Sequence, residues 1–599
     1  MKLLLTELVA TTEEGQRAIA INRFLSKLRG IQIFSLIFTA IFLAHLPLLR
    51  LPYFWDEAGY YIPAAYEFFT SGHLVPQSVP SNAHPPLPAI YLAVWWKLSA
   101  FKPAVTRVAM LLLAALALTS VFRLSRMLAN SAVAVAVTLC AAVYPVWFAQ
   151  SSLAHSDLPA AAFVLAGLVS YFRTFSPPKT HGSEASFLEV QEPSKAEPGA
   201  SIRGVAPAAA LFAIAALCKE TAVVIPFALS ACDLAKHLRA HHAPRWRGLL
   251  PPLVLGMSAL PLALWFVYHH HKTGFFFGNP EFFFYNVSGT LTPLRIVLSI
   301  GLRLWQMLGY MNLWLLTLAT VWVMRYPALP EKDGTERNRI ALAAQYRIAA
   351  ILLGNLLLFS LVGGAVLARY LLPVYPLVIL VGISTLRRRL REWTWGVAFV
   401  ALGFTLALFS NPFGYIPPED NLSYRNYVIL HKQAADYLGQ HFPRARVLTA
   451  WTATDELTKP FLGYVRAPMS VVRIEDFSYD QLQVAQMGAG QYDLALLFST
   501  KQQPAVSLLD HWTWWQRVSE RYFGFHRDMP PQAAAQILNG RVIWEGKRGQ
   551  QWAAIVNFER VENAGLRRAA QTAETISGAR LPARELSAFS LVGWVFTFS

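Results

Sequence analysis

Asp56 and Glu57 stand side by side in YFWDEAGYYIPAAYEFFTSG, residues 53–72, directly after an apolar run that contains no acidic residue. Two carboxylates set among aromatic rings at the mouth of a cavity can act as a general base or hold a hard cation through oxygen. His84 heads HPPL, where two prolines fix the start of a helix. Asp157 in SLAHSDLPAAAF stands where a helix begins, so it is either an N-cap or a site group, with His155 as a weaker companion. Lys219 and Glu220 in AALCKETAVVIPF interrupt about 30 otherwise apolar residues, either as a mutually neutralised pair or with Lys219 free for an anionic ligand. Arg369 and Tyr370 lie in the short turn of LARYLLPVYPL, where Arg serves as an interfacial anchor or a bidentate phosphate ligand. Ionisable groups in or beside membrane segments are costly and therefore point to function.

The elements that must carry these residues are membrane helices. The chain has 599 residues, 55% hydrophobic and 15% charged, with a mean hydropathy of +0.36, too apolar for an ordinary soluble protein of this size. Spans of about 20 apolar residues are expected near 31–50, 105–122, 131–149, 158–174, 204–218, 220–236, 249–268, 308–324, 347–366, 370–386 and 393–410. With the amino terminus inside, residues 1–410 place 24 Lys and Arg on the inner side and 9 on the outer. That asymmetry explains the net charge of +17 as membrane orientation, and excludes a nucleic-acid footprint. Counting HPPLPAIYLAVWWKLSA, 84–100, as a span would put RRRLR (387–391) outside, so it is read as a helix lying at the outer surface, with Trp95, Trp96 and Lys97 at the interface. The polar candidates then gather on the outer face. The first 30 residues read as a cytoplasmic segment rather than a cleavable signal peptide.

Residues 175–203 are polar and rich in Pro, Ser and Glu, and read as a flexible cytoplasmic loop. From 411 onward composition changes: NYVILHKQAADYLGQHF reads as an amphipathic helix, and RVLTAW, SVVRI, DLALLFS and QWAAIVNF as strands. The expected fold is mostly α, a polytopic membrane domain of about 11 transmembrane helices over 31–410 with a small extracytoplasmic α/β accessory domain and tail over 411–599. The apolar tail 586–599 is short for a span. Cys140, Cys218 and Cys232 all fall in expected spans, which argues against a disulfide framework or thiolate metal cluster. The HHHK tract at 269–272 lacks ligands at metal spacing. The aromatic loop after it suits a sugar or a lipid.

WDEAGYY with HPPL about 27 residues later, then HSDLP, CKE, NPEFFFYN and RYLLPVYP in the same order, resembles the polytopic GT-C glycosyltransferases, and specifically the glycosyltransferase family 39 group of protein O-mannosyltransferases and bacterial lipid A aminoarabinose transferases. The resemblance covers roughly residues 45–390. It implies inverting transfer of a single sugar from a polyprenyl-phosphate donor to a hydroxyl of a glycolipid such as lipid A, or of a protein. The implied place is the outer face of a bacterial inner membrane, with the amino terminus cytoplasmic and the carboxyl-terminal domain periplasmic or extracellular. Asp56, Glu57 and Asp157 are its expected catalytic residues, with Asp56 as base. His84, Lys219, Arg369, Tyr370 and Tyr60 are its expected substrate-binding residues. No metal ligand is assigned, and a divalent cation, Mg or Mn, is an optional cofactor. A different class, a flippase or permease for a lipid-linked or sugar substrate, is the alternative.

Overall fold

A computed structural model describes residues 30–175, 202–239, 245–331, 334–411, 417–501, 511–525 and 528–558. The expected cytoplasmic segment 1–30 (save its last residue), almost all of the loop 175–203 and the tail 586–599 lie outside them. The chain forms two compact units that divide between Arg425 and Asn426.

The first unit is helical. Its helices start where the sequence supplies a fixed φ or a side-chain cap: Pro103, Pro145, Pro280 and Pro293 each open one, and Asn130 and Asn279 each accept a first-turn N–H, from Val133 at 2.9 Å and Phe282 at 2.8 Å. Pro103–Leu128, with 26 residues, is about 39 Å long at 1.5 Å per residue. It lies in the middle of the unit, with 78% of its apolar window buried, against 22% for Gly30–Leu48 and for Glu220–Arg239. Peripheral helices expose Leu, Val and Phe, as a lipid-facing surface does.

Small residues let the central helices close on one another. Gly167, on Asp157–Arg173, faces the Phe212 ring of Ile202–Cys218, and a Cβ there would come within 2.6 Å of it. Among the described residues, five helices are long and apolar enough to cross a membrane, or six if the pair Pro280–Thr290 and Pro293–Val323, bent by 85°, is one span. Four more apolar helices are shorter, Leu87–Leu98, Ser131–Val143, Ile202–Cys218 and Trp393–Ala407. Length and composition thus do not establish the eleven spans expected from sequence. Leu87–Leu98 does follow HPPL as a helix, but Trp96 is buried, its indole N–H donating to Thr106 Oγ1 at 2.9 Å.

The second unit holds a five-stranded mixed sheet of order β2-β1-β3-β5-β4, made of β1 (Arg446–Ala450), β2 (Ser470–Ile474), β3 (Leu494–Phe498), β4 (Gly540–Arg548) and β5 (Gln551–Phe558). β1 pairs in parallel with β2 and β3, and β5 runs antiparallel to β3 and β4. The centre follows from sequence: LALLF of β3 is apolar throughout and wholly buried, as a strand covered on both faces must be.

Candidate active site

The Asp-Glu pair is split by its backbone. Trp55 has φ +41°, a left-handed conformation that is strained for a bulky residue, and Glu57–Tyr61 then form a π-helical turn, a widened geometry that recurs at functional sites. The two neighbouring carboxylates consequently enter different surroundings.

Glu57 is fully buried. It holds Arg107 through both guanidinium nitrogens and accepts N–H bonds from Phe54 at 2.9 Å and Ala154 at 2.6 Å. Arg107 also donates to the carbonyls of Ser152 at 2.9 Å and Pro52 at 3.1 Å. The pair ties the 52–57 turn, the helix Pro103–Leu128 and the 150–157 turn together.

Asp56 meets Arg369 instead. Arg369 sits on the short turn Ala368–Leu371 and gathers two further carboxylates: Glu419 Oε2 lies 2.5 Å from Nη1 and Asp157 Oδ2 lies 3.3 Å from Nε. Asp157 is the first residue of its helix and binds Lys219 through Oδ1. The Lys219 ammonium stands 4.2 Å from the centroid of the Tyr370 ring, a cation–π distance. Asp56, Asp157, Lys219, Arg369 and Tyr370 therefore form one network, drawn from four separate parts of the chain.

His84, Tyr60 and Glu220 flank it. His84 Nδ1 lies 3.0 Å from Glu220 Oε2, so Lys219 and Glu220 do not neutralise each other: each pairs elsewhere. Tyr60 donates to Asn82 Oδ1, which also accepts the His84 N–H at 3.1 Å. The Tyr60 and Tyr61 rings pack on His84 at 5.9 and 6.2 Å between centroids. Ala83, at φ +57°, is held by a bond from Trp265 Nε1 to its carbonyl at 2.9 Å, which fixes His84 in the loop.

Sequence reasoning did not single out Arg107, Gln150, Arg303, Glu419 or Asp420. Gln150 accepts from His155 Nδ1 at 2.8 Å and donates to the Glu419 carbonyl at 3.2 Å. These bonds leave the proton of His155 on Nδ1. Burial first, then Arg369, Lys219 and Arg107, hold His155 neutral, its pKa well below the usual histidine range. Burial raises the Glu419 carboxyl well above the usual carboxylate range against the pull of Arg369, helped by Asp56, Asp420 and Asp157. Asp420, which accepts from Tyr310 OH at 2.7 Å, is pushed up to about 7, again mainly by burial. Arg303 is wholly buried, donates to the Leu367 carbonyl at 2.8 Å and lies 5.6 Å from the Tyr370 ring centroid.

Donor atoms of Asp56, His155 and Glu419 lie within 4.8 Å of one another, a spacing suited to a metal ion. The Arg369 guanidinium, however, bonds both carboxylates and comes 3.2 Å from His155 Nδ1. A protein cation already satisfies the two carboxylates of the trio, and a metal ion fits between them only if Arg369 withdraws.

No protein-family model matches the chain, and no curated protein matches it by sequence. Solved structures do resemble it. ArnT from Cupriavidus metallidurans bound to undecaprenyl phosphate is 16% identical with a TM-score of 0.49, covering 88% of this chain and 97% of that one. The Archaeoglobus fulgidus oligosaccharyltransferase in complex with Zn and sulfate is 11% identical with a TM-score of 0.40, covering 78% and 68%. The same organism's oligosaccharyltransferase AglB with an inhibitory peptide and a dolichol-phosphate is 11% identical with a TM-score of 0.39, covering 78% and 69%.

Proposed function

We propose that the chain is a membrane glycosyltransferase that moves a single sugar, with inversion, from a polyprenyl-phosphate donor to the hydroxyl of a glycolipid or protein acceptor. The observation that carries this reading is the convergence of Asp56, Asp157, Lys219 and Arg369, beside the aromatic and imidazole rings of Tyr60, Tyr61 and His84. The positive-inside count supports the outer face of the membrane for this cluster, the family resemblance implies a bacterial inner membrane, and the domain is read as about eleven spans with a cytoplasmic amino terminus. The α/β unit is then an extracytoplasmic accessory domain.

The acceptor oxygen attacks the anomeric carbon as the bond from that carbon to the phosphate oxygen breaks, and the electron pair leaves with the phosphate. A lipid phosphate is already a stable anion, so the reaction needs cations rather than an acid at the leaving group. Lys219, Arg369 and His84 are the groups placed to supply them. The hydroxyl proton passes to Asp56, the most accessible of the three carboxylates on Arg369 at 16% side-chain exposure, against 3% for Asp157 and 6% for Glu419. Asp157 orients the sugar or acceptor through Lys219, and Tyr60 and Tyr370 flank the substrate. Glu57 acts in support, by fixing the turn that carries Asp56.

Purified protein in lipid nanodiscs, given polyprenyl-phosphate sugars and a lipid or peptide acceptor, is expected to form a glycosidic product detectable by mass spectrometry. Asp56→Asn should abolish that product while leaving the protein folded. Wild-type transfer by Asp56→Asn would remove Asp56 as the base. Movement of a sugar lipid across vesicles with no new glycosidic bond would favour transport instead.

A further inference from the structure

The motif NPEFFFYN takes no part in the reaction above, yet its helix Pro280–Asn286 touches two sides of the site. At its start it meets the loop that carries His84. The Asn279 N–H donates to the Ser81 carbonyl at 2.9 Å. Gly278, at φ +89°, packs so closely that a Cβ there would stand 2.9 Å from Asn82 Cα, and Asn82 is the residue that Tyr60 and the His84 N–H both bond. The Phe282 ring meets His84 edge-on at 5.8 Å between centroids. At its end the helix meets the segment that leads into Arg369. Gly363 and Gly364 lie outside any helix or strand, so their backbone groups need partners from elsewhere. The Gly363 N–H donates to the Asn286 carbonyl at 2.7 Å and the Gly364 N–H to Asn286 Oδ1 at 3.3 Å. Arg295 donates to both glycine carbonyls, at 2.9 and 3.1 Å.

We propose that Pro280–Asn286 is a bracket that holds the Arg369 turn at a fixed distance from the His84 loop, with Asn286 as its positioning residue. This deepens the transferase reading and rests on it for the catalytic consequence. In that reading His84 and Arg369 act on one phosphate from distant parts of the chain. Two cations share a phosphate only when both reach it together, so their spacing sets how well the donor is held. Asn286 suits the task. Its backbone carbonyl and its side-chain oxygen accept from successive N–H groups of the Arg369 segment, while its Nδ2 donates to the Phe282 carbonyl at 3.1 Å, within its own helix. The side chain is thus ordered by the helix it ends, and passes that order to Gly364.

Hydrogen exchange on the full-length protein in nanodiscs tests the bracket without turnover, so the result stands even if the transferase reading fails. Asn286→Ala should speed exchange in 361–371 by about fivefold, the opening that one lost hydrogen bond allows, with Pro103–Leu128 at its wild-type rate. Gly278→Ala, at the opposite end, should also speed exchange in 361–371, because a bracket carries a push at one end to the other. Wild-type exchange of 361–371 in Gly278→Ala overturns the proposal. So does faster exchange throughout the chain in Asn286→Ala, which marks a loss of overall stability. With transfer established, Asn286→Ala should raise KM for the polyprenyl-phosphate donor by about five- to tenfold, with kcat and the acceptor KM close to wild type. Asn286→Asp keeps an oxygen to accept from Gly364 and should restore the donor KM. A fall in kcat alone, or an aspartate variant that behaves as the alanine one does, overturns the role of Asn286.

Discussion

Asp56 and Glu57 are adjacent in sequence and opposite in circumstance. Glu57 receives four donors, has no exposure and, among the described residues, shares Arg107 with no other carboxylate. Asp56 keeps some exposure and shares its arginine with Asp157 and Glu419. A carboxylate whose oxygens are all committed holds structure, because any proton it took would cost it those bonds. One that shares its cation, and can be reached, is the one the proposed reaction uses as base. The difference arises from the left-handed Trp55 and the π-turn after it, which aim consecutive side chains at different elements.

The sharpest way to break this comparison is to remove one charge at a time. Asp56→Asn should lower the transfer rate by about 10²–10⁴-fold, the usual worth of a general base, with the melting temperature close to wild type. Glu57→Gln should act on the fold, because stranding a buried partner such as Arg107 costs about 3–5 kcal/mol. Its signature is a lower melting temperature and reduced yield in the membrane. Should Glu57→Gln fold normally yet lose transfer, Glu57 belongs to the chemistry and the division of labour is wrong.

Arg369→Lys should have the next largest effect. Lysine keeps the charge but lacks the planar fork that reaches several carboxylates at once. An ammonium there can satisfy Asp56 or Glu419 well, but not both with Asp157. Transfer is expected to fall by about tenfold or more, the factor that 1.4 kcal/mol represents, and mainly in kcat, since the acidic cage loses its shape rather than its charge. A wild-type kcat in this variant would reduce Arg369 to a counter-ion.

Much of this site was legible because apolar sequence makes charge conspicuous. Asp157, Lys219 and Arg369 stand out against Ala, Leu and Val, and the fold does bring them together with Asp56. What the sequence hid was pairing. Lys219 and Glu220 look like partners, yet Lys219 binds Asp157 and Glu220 meets His84, because a break in the helix after Cys218 sends the two side chains apart. Glu419 was invisible for the opposite reason: it lies in IPPEDN, beyond the last long apolar run, where an acid is unremarkable. In the second unit, four strands with apolar runs were legible, while β4, GRVIWEGKR, was not, since it mixes charged and apolar residues and pairs on one side only.

The smallest expected effect is that of Tyr60→Phe, and it bears on how far the chemistry extends from Asp56. The Tyr60 hydroxyl donates to Asn82 Oδ1, which also holds the His84 N–H, while its ring packs edge-on against Tyr61 and His84. Phenylalanine keeps the ring and loses one hydrogen bond, a change of about 1 kcal/mol, so the His84 loop should loosen without collapsing. KM for the polyprenyl-phosphate donor is then expected to rise by about fivefold, the equivalent of that energy, with kcat little changed. A large loss of kcat instead would mean that the Tyr60 hydroxyl touches the reacting sugar. The line between reacting and positioning groups, drawn here between Asp56 and Glu57, would then have to be moved out to include the aromatic wall.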